Sequence, residues 1–265
     1  MQSKKQRIAV MCALLAKNPN KLYSLNYFKD LFGAAKSSLS EDVAVIKQVF
    51  MECGIGKVVT VLGAHGGIKY LPHMAMAQRI LLCAELTEKM MDTSRILPGG
   101  YMYIADLFCT PYYVDGMAQM MAEWFADKKA DFIVTVETKG IPLAMSVARI
   151  LNLPLAIARR QSKLTDGSVF SINYLSGSSR RLQTMSLSKR MIKEGKKALV
   201  IDDFIAGGGT IKAICDMLGE FHIEVVGTGA AIVNKYPQKK RIKNYQAIFT
   251  LEELSETKIE ILPFK

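Results

Sequence analysis

Apolar positions in residues 3–17 recur with helical period: Ile8, Val10, Met11, Leu14 and Leu15 form one stripe, and Lys4, Lys5 and Arg7 read as the outer face. Asn18-Pro19-Asn20 ends that helix. Ser24 reads as the cap of a short helix over 25–32, broken by Gly33. A third helix is predicted over 36–53, with Leu39, Val43, Ile46 and Phe50 on one face, stopped by Gly54-Ile55-Gly56. Two short strand-like runs follow, 57–62 and 68–71, joined by Gly63-Ala64-His65-Gly66-Gly67 as a hairpin loop. Helix, short helix, turn, helix, hairpin is the order of a winged helix-turn-helix, and Pro72 closes it.

Beyond Pro72 the period changes. Residues 74–92 read as a connecting helix with Ile80, Leu81, Leu82, Leu86 and Met90 apolar, broken by Leu97-Pro98-Gly99-Gly100. From there strand and helix alternate. Strands are predicted at 132–136, 155–158, 198–201, 225–233 and 247–251, and helices at 141–151 and 210–221. Alternation of this kind argues an α/β fold with a mostly parallel sheet covered on both faces by helices. The expected layout is a winged helix at 1–73, a connecting helix at 74–96 and an α/β domain at 97–265.

Half of the 265 residues are apolar, enough for a real core and against disorder. The pattern holds no long uncharged apolar run, so no membrane span and no membrane partner are expected, and the basic N-terminus leads into an amphipathic pattern rather than a signal peptide. Five scattered cysteines read as reduced residues of a cytoplasmic protein, and no cluster has metal-ligand spacing. The net charge is +11, and residues 1–73, with ten Lys/Arg and four Asp/Glu, carry +6 of it. That bias suits a polyanion partner as well as a merely solvated basic face.

The chemistry concentrates in residues 198–210, Ala-Leu-Val-Ile-Asp-Asp-Phe-Ile-Ala-Gly-Gly-Gly-Thr. Four apolar residues give a short buried strand, with Asp202 and Asp203 at its carboxyl end. The turn Ala206-Gly207-Gly208-Gly209 follows, closed by Thr210 at a helix start. Ligands of open α/β sheets bind at the carboxyl ends of strands. Glycines let backbone N–H groups approach a phosphate, and a helix N-terminus favours negative charge. A phosphate cradle beside two carboxylates suits a phosphorylated sugar: the turn takes the phosphate and the acids take ribose hydroxyls. The string resembles the 5-phosphoribosyl-1-pyrophosphate (PRPP) motif of the type I phosphoribosyltransferases.

A second strand-to-helix turn, Glu137-Thr138-Lys139-Gly140, offers Lys139 and turn N–H groups to another anionic group and is similar to the pyrophosphate loop of the same enzymes. Residues 159–197 hold ten Lys/Arg against Asp166 and Glu194, with a strand-like run at 169–175. This long polar segment reads as a basic lid, and Lys163 is its candidate ligand contact.

In the first domain, the predicted recognition helix starts Lys36-Ser37-Ser38-Leu39-Ser40-Glu41-Asp42. Its first turn is where helix-turn-helix proteins meet base edges. Lys36, Ser37, Ser38 and Ser40 fit major-groove and phosphate contacts, and Glu41 and Asp42 suit a helix N-terminus. Alone, the string is an ordinary serine-rich cap; element order and basic bias turn it towards double-stranded DNA. Lys57, His65 and Lys69 lie on the wing.

Further strings extend the resemblance. They are Asn18-Pro19-Asn20-Lys21, Ala35-Lys36-Ser37-Ser38, Leu97-Pro98-Gly99-Gly100-Tyr101, Thr138-Lys139-Gly140, Ser171-Ile172-Asn173-Tyr174, Ser176-Gly177-Ser178-Ser179, Gln183-Thr184-Met185 and Leu187-Ser188-Lys189-Arg190. With the PRPP motif they make the whole chain similar to the purine operon repressor family of Gram-positive bacteria. The resemblance implies a cytoplasmic homodimer that binds operator DNA of purine genes and lacks catalytic activity. It implies PRPP, with Mg²⁺, as an effector that weakens DNA binding, guanosine tetraphosphate as a second ligand of the same pocket, and Tyr101 near that pocket. One departure stands out: many family members carry Lys or Arg where this chain has Ala206, which removes a charge-assisted phosphate contact. The alternative reading is a purine phosphoribosyltransferase with an appended DNA-binding domain. No base-binding site is evident in the sequence, and the winged helix has no role in transfer chemistry.

Overall fold

The fold is that of a computed structural model, which describes residues 2–161, 164–175, 182–192 and 194–264. The chain divides near Gln78 into two compact units.

The first unit holds α1 (Lys4–Lys17), α2 (Leu25–Phe32), α3 (Lys36–Glu52) and the antiparallel hairpin of β1 (Gly56–Val61) and β2 (Gly67–Pro72). Local chemistry sets the helix ends. Ser3 and Gln6 form a reciprocal capping box on α1, and the Tyr27 N–H donates to Ser24 Oγ at 3.1 Å on α2. Met11, Leu15, Phe28, Leu39, Ile46, Phe50 and Ile68 form one buried core. Two charged residues depart from the sequence reading. Arg7, expected outside, lies one turn before Met11 on the buried face of α1, and its Nε donates to Asp42 Oδ2 at 2.7 Å. Asp42, read as suiting a helix N-terminus, is fully buried, with its side chain turned towards α1.

The second unit is built on a six-stranded sheet of order β12-β11-β10-β9-β5-β6. Its strands are β5 (Phe132–Val136), β6 (Leu155–Ala158), β9 (Lys197–Ile205), β10 (Glu224–Asn234), β11 (Tyr245–Leu254) and β12 (Ile259–Pro263), parallel except for β12. Flanking them are α4 (Met76–Met90), α5 (Ala105–Cys109), α6 (Pro111–Phe125), α7 (Gly140–Leu151) and α8 (Gly209–Gly219), with two small hairpins, β3 (Ile96–Leu97) with β4 (Tyr101–Met102) and β7 (Val169–Leu175) with β8 (Leu182–Ser188). α8 and the β7–β8 hairpin share the core with Val134, Val136 and Val200. α6 brings Met121 and Phe125 against Gly229 and Gly227 of β10.

Several expectations change here. The helix read as a connector is built into this unit: Leu82, Leu86 and Met90 are buried, and Arg79 pairs with Glu123 of α6. The basic segment is not a free lid along its described part. Tyr174, Met185 and Leu187 are buried, and Phe170 stands edge-on to Phe221. β9 is four residues longer than predicted at its carboxyl end because Asp202, Phe204 and Ile205 pair with Ala230, Ile232 and Val233.

Candidate functional site

The carboxyl ends of β5, β9, β10 and β11 converge on one cleft. The acid pair lies within β9, near its end, rather than after it. Asp203 and Phe204 line the cleft floor, Thr138, Lys139 and Arg160 one wall, and Asn234, Leu251 and Leu254 another. Tyr101, exposed on the β3–β4 hairpin, stands at the mouth, and the cleft volume is about 650 Å³. A second cavity of about 180 Å³ is formed by residues 204–211 with Arg160 and Gln183. Arg160, Phe204 and Ala206 line both, so the two cavities are neighbours.

The small cavity has the geometry of a phosphate cradle. Ala206, Gly207, Gly208, Gly209 and Thr210 wrap it, and α8 begins at Gly209. Gly208 has φ +78°, and a Cβ there would stand 3.0 Å from Ile242 Cγ1, so a side chain is disfavoured by both backbone and space. The Arg241 N–H donates to the Gly207 carbonyl at 2.9 Å, bracing the loop from outside.

The turn on β5 rests on two buried polar groups. A Cβ on Gly140 would lie 2.7 Å from Thr135 Oγ1 and 2.8 Å from Asp202 Oδ1. Asp202 is buried and lines neither cavity, and its Oδ1 accepts from the Asp203 N–H at 3.0 Å. Burial first, and then the neighbouring Asp203 charge, raises the Asp202 carboxyl well above the ordinary carboxylate range. Of the two predicted acids, Asp203 therefore faces the ligand space and Asp202 supports the turn from beneath.

A stability prediction follows with a definite sign. A folded carboxyl with a raised pKa favours the folded state in acid, and this benefit is lost as pH rises from the ordinary carboxylate range through the raised value. Asp202→Asn keeps the acceptor for Asp203 and removes the charge. It is expected to raise the thermal midpoint at pH 8 by about 2–4 °C, roughly 1 kcal/mol, and to give no gain near pH 3. Calorimetric melting at the two pH values checks this.

Arg160 went unnoticed in the sequence because it was one of ten cations in a polar segment. Its backbone N–H donates to Glu137 Oε1 at 2.7 Å, while Arg159 is occupied by Glu137 at 3.4 Å and Asp166 at 3.7 Å. That division leaves Arg160 lining both cavities and supplies a cation beside Ala206. Leu251 and Leu254, with Met102 and Ile104, give the cleft an apolar wall that the sequence did not reveal. Lys163 lies outside the described residues.

In the first unit, α3 and the hairpin border a groove of about 420 Å³. Lys36 and Ser40 line it; Ser37 is exposed and Ser38 half-buried outside it. Ser40 Oγ donates to the Lys36 carbonyl at 3.0 Å. Lys57 and His65 are exposed away from the groove, and Lys69 donates to Asn20 Oδ1 at 3.4 Å. Lys47, not singled out in the sequence, lines the groove and donates to Thr60 Oγ1 at 2.7 Å. Its signal was its spacing, eleven residues after Lys36 on the same helical face.

Known proteins share both halves. The family model for the bacterial purine repressor N-terminal domain matches residues 3–72, and that for the phosphoribosyl transferase domain matches residues 107–264. The purine biosynthesis transcriptional repressor PurR of Bacillus subtilis is 41% identical over 96% of this chain and 90% of its own length. The purine biosynthesis transcriptional activator PurR of Lactococcus lactis subsp. lactis is 35% identical over 94% and 92%. Among solved structures, the adenine phosphoribosyltransferase of Rhodothermus marinus superposes with a TM-score of 0.56 at 21% identity, covering 64% of this chain and 99% of the enzyme, which speaks for the fold alone. With a repressor-type N-terminal domain followed by a phosphoribosyltransferase domain, and relatives matched along nearly their whole length, the chain belongs to the bacterial purine repressor family.

Proposed function

We propose that this protein is a cytoplasmic, DNA-binding regulator of purine biosynthesis and salvage genes whose operator binding is weakened by PRPP. The observation that carries the effector half is the continuity of cradle and cleft across Arg160, Phe204 and Ala206. One ligand with phosphates at both ends of a ribose fits that arrangement. In this reading the 206–210 loop holds the 5′-phosphate, Asp203 the ribose hydroxyls, and Thr138, Lys139 and Gly140 with Arg160 the pyrophosphate. Tyr101, which lines the cleft, borders the ligand, and Lys163 stays a ligand contact proposed from the sequence alone. The first unit, through Lys36, Ser37, Ser38 and Ser40 with Lys57, His65 and Lys69 on the wing, meets double-stranded operator DNA.

Mg²⁺ fits as an ion that arrives with the effector. No group of three or more His, Cys, Asp or Glu side chains converges among the described residues, and Mg²⁺ is commonly held by one or two carboxylates plus ligand phosphates. Asp203 would supply the carboxylate, and the ion would neutralise pyrophosphate charge. The apolar wall of Leu251 and Leu254 gives room for a base, so guanosine tetraphosphate is a competing ligand of the same cleft. We assign no catalytic residue.

The test is fluorescence anisotropy of a purine-gene promoter duplex, titrated at fixed salt with and without Mg²⁺–PRPP. Tight binding released by PRPP supports the reading. Tight binding indifferent to PRPP overturns the effector half. Absence of binding, together with pyrophosphate release from PRPP and a purine base, establishes the transferase instead.

A two-fold operator reader is expected to be a homodimer. In the Met- and aromatic-rich stretch at 101–125, Val114, Met117, Met120, Met121 and Phe125 are core, and Tyr101, Tyr103 and Tyr112 are its exposed aromatics. α4 exposes Ile80 and Leu81, at 61% and 69%. Leu81→Asp is expected to convert dimer to monomer by light scattering while the fold persists; an unchanged mass would move the interface elsewhere.

A further inference from the structure

We propose that the groove between α3 and the β1–β2 hairpin seats one sugar-phosphate strand of duplex DNA, with Lys36 and Lys47 as its phosphate-binding cations. This rests on the DNA-binding reading above and sorts its residues. Two lysines and the hydroxyls of Ser40 and Thr60 face the groove, and its lining contains no acidic residue. The acids of α3 are turned elsewhere: Asp42 is buried on Arg7, Glu41 lies 4.0 Å from Lys4, and Glu52 accepts from Gln48 at 2.8 Å. The N-terminal residues of α2, Ser24, Leu25 and Asn26, border the same groove. Their helix adds a weak positive end to a site already made by two lysines.

The placement has a geometric consequence. A recognition helix in the major groove and a wing beyond it are separated by one DNA backbone, and the notch between them is where that backbone must run. Lys36, Ser40, Ala44 and Lys47 form the face of α3 towards the notch. Ser37, Glu41 and Gln48, exposed on the neighbouring face, are then the positions turned to bases. Phosphate contacts fix register without reading sequence, while base contacts discriminate. The Lys47–Thr60 hydrogen bond keeps the ammonium in the notch when DNA is absent.

The experiment is anisotropy of the full-length protein on an operator duplex and on a random duplex of equal length, across a salt series. Each phosphate neutralised contributes about 0.9 to the slope of log K against log salt. Lys47→Gln is expected to weaken both duplexes by the same several-fold factor and to flatten the slope by about one unit. Lys36→Gln should do likewise, and melting curves confirm that both variants stay folded. Lys29→Gln removes the same charge from an exposed site outside the groove and should keep the slope, as should Thr60→Val, which keeps the Lys47 charge. A parent slope in Lys47→Gln overturns the groove assignment, as does a loss confined to the operator, or a Thr60→Val slope as flat as that of Lys47→Gln. A parent protein that binds neither duplex instead refutes the DNA-binding reading itself.

Discussion

An Asp203→Ala variant is expected to bind operator DNA with parental affinity and to lose its response to PRPP. Asp203 is the acid of the motif that lines the cleft, and ribose hydroxyls donate to it in the proposed pose. A hydrogen bond to a charged group contributes about 1.5–3 kcal/mol. Losing two such bonds is expected to weaken PRPP binding by roughly 100-fold or more. The fold has no reason to suffer. Asp203 is half-buried, and its charge is one of the causes that raise the Asp202 carboxyl, so its removal eases the buried acid. Loss of response with an unchanged melting point would therefore report on the ligand. Calorimetric titration of PRPP, alongside the anisotropy assay, separates the cases. A variant released from DNA at the parental PRPP concentration would sink the assignment of Asp203 to the ribose.

The parts of the fold that were legible in the sequence are those where one periodicity dominates. The stripes of α1 and α3, the fully buried and largely apolar β5 and the glycine breaks at 33, 54 and 63 each gave an element with small boundary error. α6 escaped because its apolar face is unusually wide: Val114, Met117, Ala118, Met120 and Met121 are all buried, and the polar stripe of Asp115, Gln119 and Glu123 that marks its period is narrow. β12 escaped because an edge strand of five residues, flanked by Lys258 and carrying Glu260, looks like a charged tail. At the site, the motif string located the cradle because glycine and acid positions are tied to backbone geometry. Arg160, Gln183, Leu251 and Leu254 come from three separate segments, and only the folded chain brings them to the two neighbouring cavities. The roles of the two acids were not separable either, since strand alternation decides which faces the cleft, and that depends on how far β9 runs.

Asp42 shows the same limit with a larger energetic consequence. In the sequence Asp42 reads as an acid suited to a helix N-terminus, yet it is fully buried in the second turn of α3, and only α1 packing against α3 reveals its partner. Asp42→Ala would leave Arg7, whose side chain is 12% exposed, without its counter-charge. Removing one member of a buried pair costs about 3–5 kcal/mol. Arg7 sits in the first turn of α1 and can swing its guanidinium towards water, so the lower end is expected. In a unit of this size about 3 kcal/mol lowers the melting point by more than about 10 °C, and operator binding should fall with it while PRPP binding persists. The pair is nonetheless not an optimal solution for stability, because Asp42 Oδ1 is buried among the described residues without a hydrogen bond. Replacing both partners, Arg7→Met with Asp42→Leu, removes two desolvated charges and that unsatisfied oxygen together, and is expected to restore the melting point to the parental value or above. Differential scanning calorimetry of the single and double variants decides it: an Asp42→Ala transition within about 2 °C of the parent would show that the pair contributes nothing to holding α3 on α1.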